Sequence, residues 1–433
     1  MSKQVDIISL GCSKNLVDTE RLMGLLAKSG WNCHFEPKSP KSPVLVINTC
    51  GFIGDAKEES INTILQQSQR KTAKTNRLEK LYVMGCLSQR YLEELTHEIP
   101  EVDGWYGKFD WEKIVETLSN IPAETLSASH RVLTTPKHYA YLKISEGCNR
   151  MCSYCAIPLI TGHHQSRPIE DILEEVKFLR NQGVKELNVI AQDLSSYGLD
   201  LYKSHKLPEL IEQIAGIDGI EWIRLHYAYP TDFPEELLDV MARHPNICKY
   251  LDIALQHCTN NMLSKMRRHI TQDEQDALIA HIRERVPGIC IRTTLMVGHP
   301  GETEEDFEQL KQWTKRMRFD RMGAFAYSEE EGTYAANHYA DDIPEETKQR
   351  RLNELMAIQQ EISTELQAQK VGKTLRTIVD REENDFYIGR TEFDSPEVDC
   401  EVLIDKTKRL ETGEFYDVII TKAEEFDLYA RIC

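Results

Sequence analysis

The sequence predicts an α/β protein in three parts. An open parallel α/β domain covers residues 1–120, a central partial (β/α) barrel 139–344, and a small antiparallel, OB-like β-barrel 370–433. Three observations carry this expectation. Apolar runs alternate with amphipathic stretches as far as residue 120. Six further strand-like runs start 47, 36, 28, 40 and 32 residues apart, about the length of a strand–helix–strand unit. Short alternating runs then fill the segment after Lys370.

Val5 to Leu10 is the first apolar run and ends in Gly11-Cys12. A helix follows with Leu16, Leu22, Leu25 and Leu26 on its apolar side and Gly30 as its stop. Val44–Ile47 ends in Asn48-Thr49-Cys50-Gly51, and a second helix passes through Ile61, Ile64 and Leu65. Leu81–Met84 is a third strand, closed by Gly85-Cys86. Such alternation gives a parallel sheet with helices on its faces. Residues 121–138, with Pro122, Pro136 and a Ser/Thr-rich stretch, read as a linker.

The six later runs are Tyr139–Ser145, Glu186–Gln192, Trp222–Ala228, Tyr250–Gln256, Cys290–Gly298 and Met322–Ser328. The clearest intervening helix spans Ile169 to Gln182. Ser166 is placed to cap it, Pro168 fits its first turn, and Gly183 falls past its end. Ile169, Ile172, Leu173, Val176 and Leu179 form one stripe. Six units suit an incomplete barrel, and an eight-stranded one stays open at this level. Residues 345–369 read as a polar helix packed on the barrel through Leu352, Leu355, Met356, Ile362 and Leu366. Leu375–Val379, Phe386–Arg390, Cys400–Ile404, Tyr416–Ile420 and Leu428–Ile432 supply five strands for the terminal barrel.

Composition narrows the class. Of 433 residues 41% are apolar and 28% charged, which excludes a disordered or collagen-like chain. No run approaches the roughly 20 apolar residues of a membrane helix. The start, Met1–Leu10, lacks the pattern of a secretory leader, so the cytoplasm is expected and no membrane partner. A net charge of −18 is the wrong sign for gripping phosphate backbones. Twelve cysteines in such a chain point to metal binding or catalysis before disulfides. Cys33, Cys248, Cys258, Cys290, Cys400 and Cys433 share no spacing, and most are expected to be small buried hydrophobes.

Cys148, Cys152 and Cys155 form a C-x3-C-x2-C run after the first barrel strand, on the edge where barrels build their sites. Three thiolates around a four-iron core leave one iron without a protein ligand, which is what a chemically active cluster needs. The amino and carboxylate groups of S-adenosylmethionine fit that open position. A zinc site completed by His163 or His164 uses the same donor types and is the alternative. An inert cysteine-rich turn leaves three thiols without a use.

Cys12, Cys50 and Cys86 lie 38 and 36 residues apart, each at a strand end and each beside a glycine. Parallel strands bring their carboxyl ends to one edge, so these thiols can converge on a second three-ligand cluster. Three buried cysteines that merely close strands are the plainer alternative.

Together these features resemble the methylthiotransferases of the radical S-adenosylmethionine superfamily. The residues carrying the resemblance are Ser9-Leu10-Gly11-Cys12-Ser13-Lys14-Asn15-Leu16-Val17-Asp18, Asn48-Thr49-Cys50-Gly51-Phe52-Ile53 and Tyr139-Ala140-Tyr141-Leu142-Lys143-Ile144-Ser145-Glu146-Gly147-Cys148. Arg224-Leu225-His226-Tyr227, Leu251-Asp252-Ile253 and Tyr327-Ser328-Glu329-Glu330-Glu331-Gly332-Thr333 agree with it. Within the family the chain looks most like the members that methylthiolate an aspartate of small-subunit ribosomal protein twelve. The resemblance implies two 4Fe–4S clusters, S-adenosylmethionine, a terminal TRAM domain for substrate recognition, and an electron donor such as flavodoxin or ferredoxin. It implies two stages. One S-adenosylmethionine methylates a sulfur held at the Cys12/Cys50/Cys86 cluster; another, cleaved at the Cys148/Cys152/Cys155 cluster, activates the target carbon.

Gln192-Asp193 and Gln256-His257 end the second and fourth barrel strands, where polar groups can touch S-adenosylmethionine or merely cap loops. Gly298, in Gly298-His299-Pro300-Gly301-Glu302-Thr303, can admit the nucleoside close to the backbone or simply turn the chain. Arg292 and Arg224 lie at or within strands, where their charge needs a substrate carboxylate or an ion pair. A transfer RNA adenosine methylthiotransferase is the competing activity, and a non-enzymatic metal scaffold with an OB-like adaptor the third reading. Lys370–Cys433 carries 10 Lys/Arg and 16 Asp/Glu, a net of −6, which favours a basic protein over nucleic acid as substrate.

Overall fold

The computed structural model describes residues 3–73, 78–122, 125 and 131–433. Of the expected linker, residues 123, 124 and 126–130 lie outside the described residues. The chain divides into two compact units. The first comprises Met1–Thr135, Glu146–Asn149 and Ala156–His163, the second Pro136–Ser145, Arg150–Cys155 and His164–Cys433.

The first unit holds β1 (Gln4–Ser9), α1 (Ser13–Lys28), β2 (Asn32–Phe35), β3 (Val44–Thr49), α2 (Gly54–Thr72), β4 (Lys80–Gly85), α3 (Cys86–Glu98), β5 (Gly104–Trp105) and α4 (Trp111–Ser119). The strands form one parallel sheet in the order β2-β1-β3-β4-β5. Every residue of β3 is buried, as a central strand covered on both faces requires. Val44 and Val46 face Leu22, Leu25 and Leu26 of α1, whereas Leu45 and Ile47 face Ile64 of α2 and Leu87 of α3. Leu65 is 40% exposed and lies off the expected stripe. The short edge strands β2 and β5 carry too little apolar pattern to be read in advance.

The second unit is built on β6 (Tyr139–Lys143); along the chain then come β7 (Ser145–Glu146), α5 (Ile157–Thr161), which belongs to the first unit, and β8 (Gln165–Ser166). The chain continues through α6 (Ile169–Asn181), β9 (Glu186–Ile190), α7 (Leu207–Ala215), β10 (Trp222–Ala228), α8 (Glu236–Arg243) and β11 (Ile247–Ile253). It completes the sheet with α9 (Asn260–Lys265), α10 (Gln272–Arg285), β12 (Cys290–Val297), α11 (Glu304–Met317) and β13 (Arg321–Ala326). The sheet is six-stranded and open, in the order β13-β12-β11-β10-β9-β6, with every resolved pair parallel. Sequential order is what consecutive strand–helix units give. The fourth strand starts and ends three residues earlier than expected; Gln256, at φ 70, lies in the left-handed region beyond it. Ser166 does not cap α6. Pro168 is the N-cap residue, and the Ser166 hydroxyl instead donates to Asp200 at 2.6 Å.

After α12 (Tyr334–His338), α13 (Glu345–Ala368) packs against β13 and α11, with Leu355 and Ile362 buried. β14 (Thr374–Glu382), β15 (Phe386–Thr391), β16 (Val402–Asp405), β17 (Phe415–Ala423) and β18 (Leu428–Ile432) close a barrel around Val379, Val402, Ile404, Val418 and Leu428. It is not wholly antiparallel. β18 folds back beside β16 and pairs with it parallel, because β17 comes between them in sequence and runs antiparallel to β18. The segment after β15 reaches the amino ends of the open sheet. Glu397 accepts from Tyr139 at 3.1 Å, Asp399 from Tyr250 at 2.8 Å, and Asp394 pairs with Arg321. Among the remaining cysteines Cys248, Cys258, Cys290 and Cys400 are buried, whereas Cys33 is half-buried and Cys433 exposed.

Candidate functional site

In the first unit Cys12 follows β1, Cys50 follows β3 and Cys86 opens α3. The order β2-β1-β3-β4-β5 reverses direction between β1 and β3, the switch point where open α/β sheets bind ligands at the strands' carboxyl ends. Glycines let these ends approach. A Cβ on Gly11, which has φ +90, would fall 2.6 Å from Cys50 Cβ and 2.9 Å from its Sγ. One on Gly51 would fall 2.7 Å from Leu87 Cα and 2.9 Å from the Cys86 carbonyl carbon. Ala156 and Ile160 pack on Cys86.

Asn15, buried at 1% exposure, ties the three ends together. Its Nδ2 donates to Leu10 O at 3.1 Å and Thr49 O at 3.0 Å, and its Oδ1 accepts from Cys86 Sγ at 3.4 Å. Ser60 clasps Cys50, accepting from its N–H at 3.0 Å and donating to its carbonyl at 2.9 Å. Lys108 Nζ, 2% exposed, lies 2.9 Å from Asp18 and 3.6 Å from Glu146. Its charge acts on Cys86 and Cys12. Sequence reasoning gave neither Asn15 nor Lys108 a role. Asn15 had a signal, standing one helical turn after Cys12; Lys108 had none.

Burial pushes the Cys86 thiol up to about 12 against the opposing pull of Lys108, and burial likewise raises Cys50. Metal loading here therefore has to expel protons. Among the described residues no three His, Cys, Asp or Glu side chains are grouped as tightly as one metal ion requires. An iron–sulfur core binds each thiolate on its own iron and so suits wider spacing. The three thiols, without a carboxylate or imidazole among them, are the donor set such a core takes.

The second trio lies on the loop after β6. Cys148 N–H donates to Gly162 O at 3.2 Å, and Cys155 N–H to Cys152 O at 3.1 Å. Ser153 pins the loop in the second unit. Its N–H donates to Met266 O, its carbonyl accepts from Ala335 N–H, and its hydroxyl meets His299 Nε2 at 3.0 Å. Cys152 Sγ lies 3.2 Å from Arg268 Nη1 and 3.6 Å from the Tyr229 hydroxyl. All three cysteines are half-buried.

The other expected residues divide by sheet edge. Gln192, half-buried, and Asp193 follow β9; Asp193 holds Arg150 of the cysteine loop at 2.8 Å. Gln256 extends the ladder beside β12, donating to Thr294 O at 2.9 Å and accepting from Met296 N–H at 2.7 Å. His257 meets Glu302 at 3.2 Å and accepts from Thr259 N–H at 3.1 Å. Gly298 N–H donates to the same Glu302 at 2.6 Å, and a Cβ on Gly298 would fall 2.4 Å from Lys348 Cγ. Its smallness thus seats α13. Arg292 lies near the amino end of β12, held 3.4 Å from both Asp252 and Asp399. Arg224 pairs with Glu186 at 3.1 Å. Protein carboxylates therefore take both arginines. His164 contacts Ser166 at 3.2 Å and His163 contacts Asn149 at 3.1 Å.

The chain matches the model of the Radical SAM superfamily over residues 142–314, Uncharacterized protein family UPF0004 over 4–107 and the TRAM domain over 371–433. It is 62% identical over 429 residues to a protein of Phocaeicola vulgatus described as ribosomal protein uS12 methylthiotransferase RimO, covering 99% of each chain. A relative of the same description from Christiangramia forsetii is 50% identical, over 99% of this chain and 94% of that one. Among solved structures, the radical S-adenosylmethionine methyltransferase TsrM of Kitasatospora setae aligns with TM-score 0.56 at 15% identity, covering 78% of this chain and 77% of that one. The cobalamin-dependent enzyme OxsB aligns with TM-score 0.51 at 12% identity, over 82% and 56%. These two show a shared fold.

Proposed function

Because the chain belongs to the ribosomal protein uS12 methylthiotransferase family, we propose how its two cysteine trios divide that reaction. The protein is a radical S-adenosylmethionine enzyme that methylthiolates uS12, and it uses S-adenosylmethionine and a 4Fe–4S cluster. The target is the β-carbon of an aspartate. Cys148, Cys152 and Cys155 hold the cluster that supplies one-electron cleavage of S-adenosylmethionine when both are bound. Cys12, Cys50 and Cys86 would hold a second 4Fe–4S cluster, which would supply the sulfur-transfer chemistry.

The chain's own residues position and insulate. Asn15 fixes three strand ends in one arrangement, so the thiols of the first unit need little reorganisation to bind. Ser153 and Arg150 anchor the second loop to the carboxyl edge of the sheet. Gln192, Gln256 and Gly298 stand on that edge as the contacts for S-adenosylmethionine, while Arg292 orders the opposite end through Asp252 and Asp399. The acidic terminal barrel, net −6, suits a basic ribosomal protein. A flavodoxin or ferredoxin type of donor supplies the electrons, and the reaction belongs in the cytoplasm. No described helix is long and apolar enough to cross a membrane.

The observation that carries the division of labour is the approach of three separate strand ends around Asn15. Anaerobic reconstitution followed by iron and sulfide analysis tests it: two four-iron clusters per chain are expected, and one refutes it. Incubation with uS12 and, in parallel, transfer RNA should yield the methylthio mass increment on the protein alone.

A further inference from the structure

Among the described residues six arginines are buried, and five of them have a carboxylate. Arg131 pairs with Glu20, Arg224 and Arg390 with Glu186, Arg321 with Asp394, and Arg351 with Glu302. Arg268 is the exception. It is 2% exposed, and among the described residues no carboxylate pairs with it. Its Nη1 donates to Cys152 Sγ at 3.2 Å and to the Tyr154 hydroxyl at 3.3 Å, and its Nη2 donates to Ala254 O. Its Nε is buried without a partner. The guanidinium lies 4.0 Å from the Tyr229 ring centroid, and the Tyr229 hydroxyl in turn lies 3.6 Å from Cys152 Sγ.

A guanidinium stays charged in a protein, so burying it costs several times what ring contacts and one carbonyl return. The groups that act most on its charge are Tyr154, Cys152 and Tyr229, none of them an aspartate or glutamate. The missing counter-charge is therefore an anion on Cys152. A thiolate-ligated cluster provides one, and it carries more negative charge once reduced.

We propose that Arg268 is a positioning residue for the cluster of the C-x3-C-x2-C loop, donating an N–H···S hydrogen bond to the Cys152 thiolate and thereby favouring the reduced cluster. The inference rests on the reading of that loop as a cluster site. Hydrogen bonds to ligand sulfurs and nearby positive charge both raise a cluster's reduction potential. Nothing in the sequence marks Arg268, since Cys152 and Arg268 are 116 residues apart. The Tyr229 hydroxyl supports the same sulfur from a second direction.

The test uses full-length protein with Cys12, Cys50 and Cys86 replaced by alanine, reconstituted without oxygen, so that only one cluster contributes. A redox titration followed by electron paramagnetic resonance reads the reduced fraction. In Arg268→Gln that fraction at fixed potential is expected to fall about tenfold, about 59 mV for a one-electron couple. Arg268→Lys should recover part of it, and Tyr229→Phe should show a smaller fall in the same direction. An unchanged potential in an Arg268→Gln protein with full iron content overturns the proposal. Should that variant not fold, 15N-arginine labelling of the parent protein decides. Pulsed resonance should show nitrogen coupled to the reduced cluster, retained in Arg150→Lys, and absence of coupling overturns the proposal. A parent protein that binds no iron would instead remove the cluster reading of the loop itself.

Discussion

Cys148, Cys152 and Cys155 share eight consecutive residues of one loop, whereas Cys12, Cys50 and Cys86 stand 38 and 36 residues apart, each at the end of its own strand. The electrostatics differ as sharply. Lys108, which acts on the dispersed trio, is offset by Asp18 and Glu146, while Arg268, beside Cys152, pairs with no carboxylate among the described residues. A loop delivers its thiols by local spacing and leaves their surroundings to the sheet behind it. A dispersed set depends on strand register, glycine contacts and a tie such as Asn15, and any of these can fail separately.

The largest effects should separate the trios by reaction stage. Cys152→Ala should abolish 5′-deoxyadenosine formation, read by chromatography and mass spectrometry. Cys50→Ala should leave that formation in place and remove the methylthio product. If both variants lose 5′-deoxyadenosine alike, the contrast between the trios is wrong.

Next comes assembly. In Gly11→Ala the added Cβ meets Cys50 at 2.6 Å, so iron per chain should fall by half as the dispersed site is lost. Gly288→Ala, at φ +81 with open space around it, is the control. It should keep its iron and lose about 1 kcal/mol of stability to backbone strain. Equal iron in Gly11→Ala would show that the strand ends tolerate being pushed apart.

Lys108→Met leaves Asp18 and Glu146 without their buried cation, and denaturant unfolding should show a loss of about 3–5 kcal/mol. A loss under about 1 kcal/mol would mean that the pair is solvated and that the contrast with Arg268 rests on one side only.

The smallest effect is acid sensitivity in the second unit. Burial acts to raise Asp380, but Arg390 and His138 overcome it and hold the carboxyl down at about 2. Since the folded value lies below the unfolded one of about 3.9, its stabilisation is complete above about pH 4 and is lost as pH falls toward 2. That amounts to roughly 2–3 kcal/mol, from the same shift. Asp380→Asn should flatten the acid limb of the stability profile, and an unaltered limb would contradict the ion pair.

Much of the fold was legible because local periodicity marked it. The fully buried β3 and the stripe Ile169, Ile172, Val176 and Leu179 follow from patterns within a few residues. The expectations that failed needed partners distant in the chain. Ser166 had the chemistry of a cap, but Asp200 took its hydroxyl. At Arg292, where a ligand carboxylate and an ion pair both stood open, the sequence did not reveal that Asp252 and Asp399 flank it. The parallel pairing of β16 with β18 depends on barrel closure, which no single strand encodes.

The sequence by itself determined the alternation of strands and helices, six strand–helix units, the terminal barrel and the loop of three closely spaced thiols. Short-range spacing dictates all of these through side-chain periodicity and chain reach. The tertiary structure alone decided that Asn15 ties three strand ends, that Lys108 enters already balanced and that Arg268 arrives unbalanced beside Cys152. Whether a buried charge is satisfied depends on what the fold brings within a few ångströms of it, and residues 116 positions apart carry no trace of that in their order.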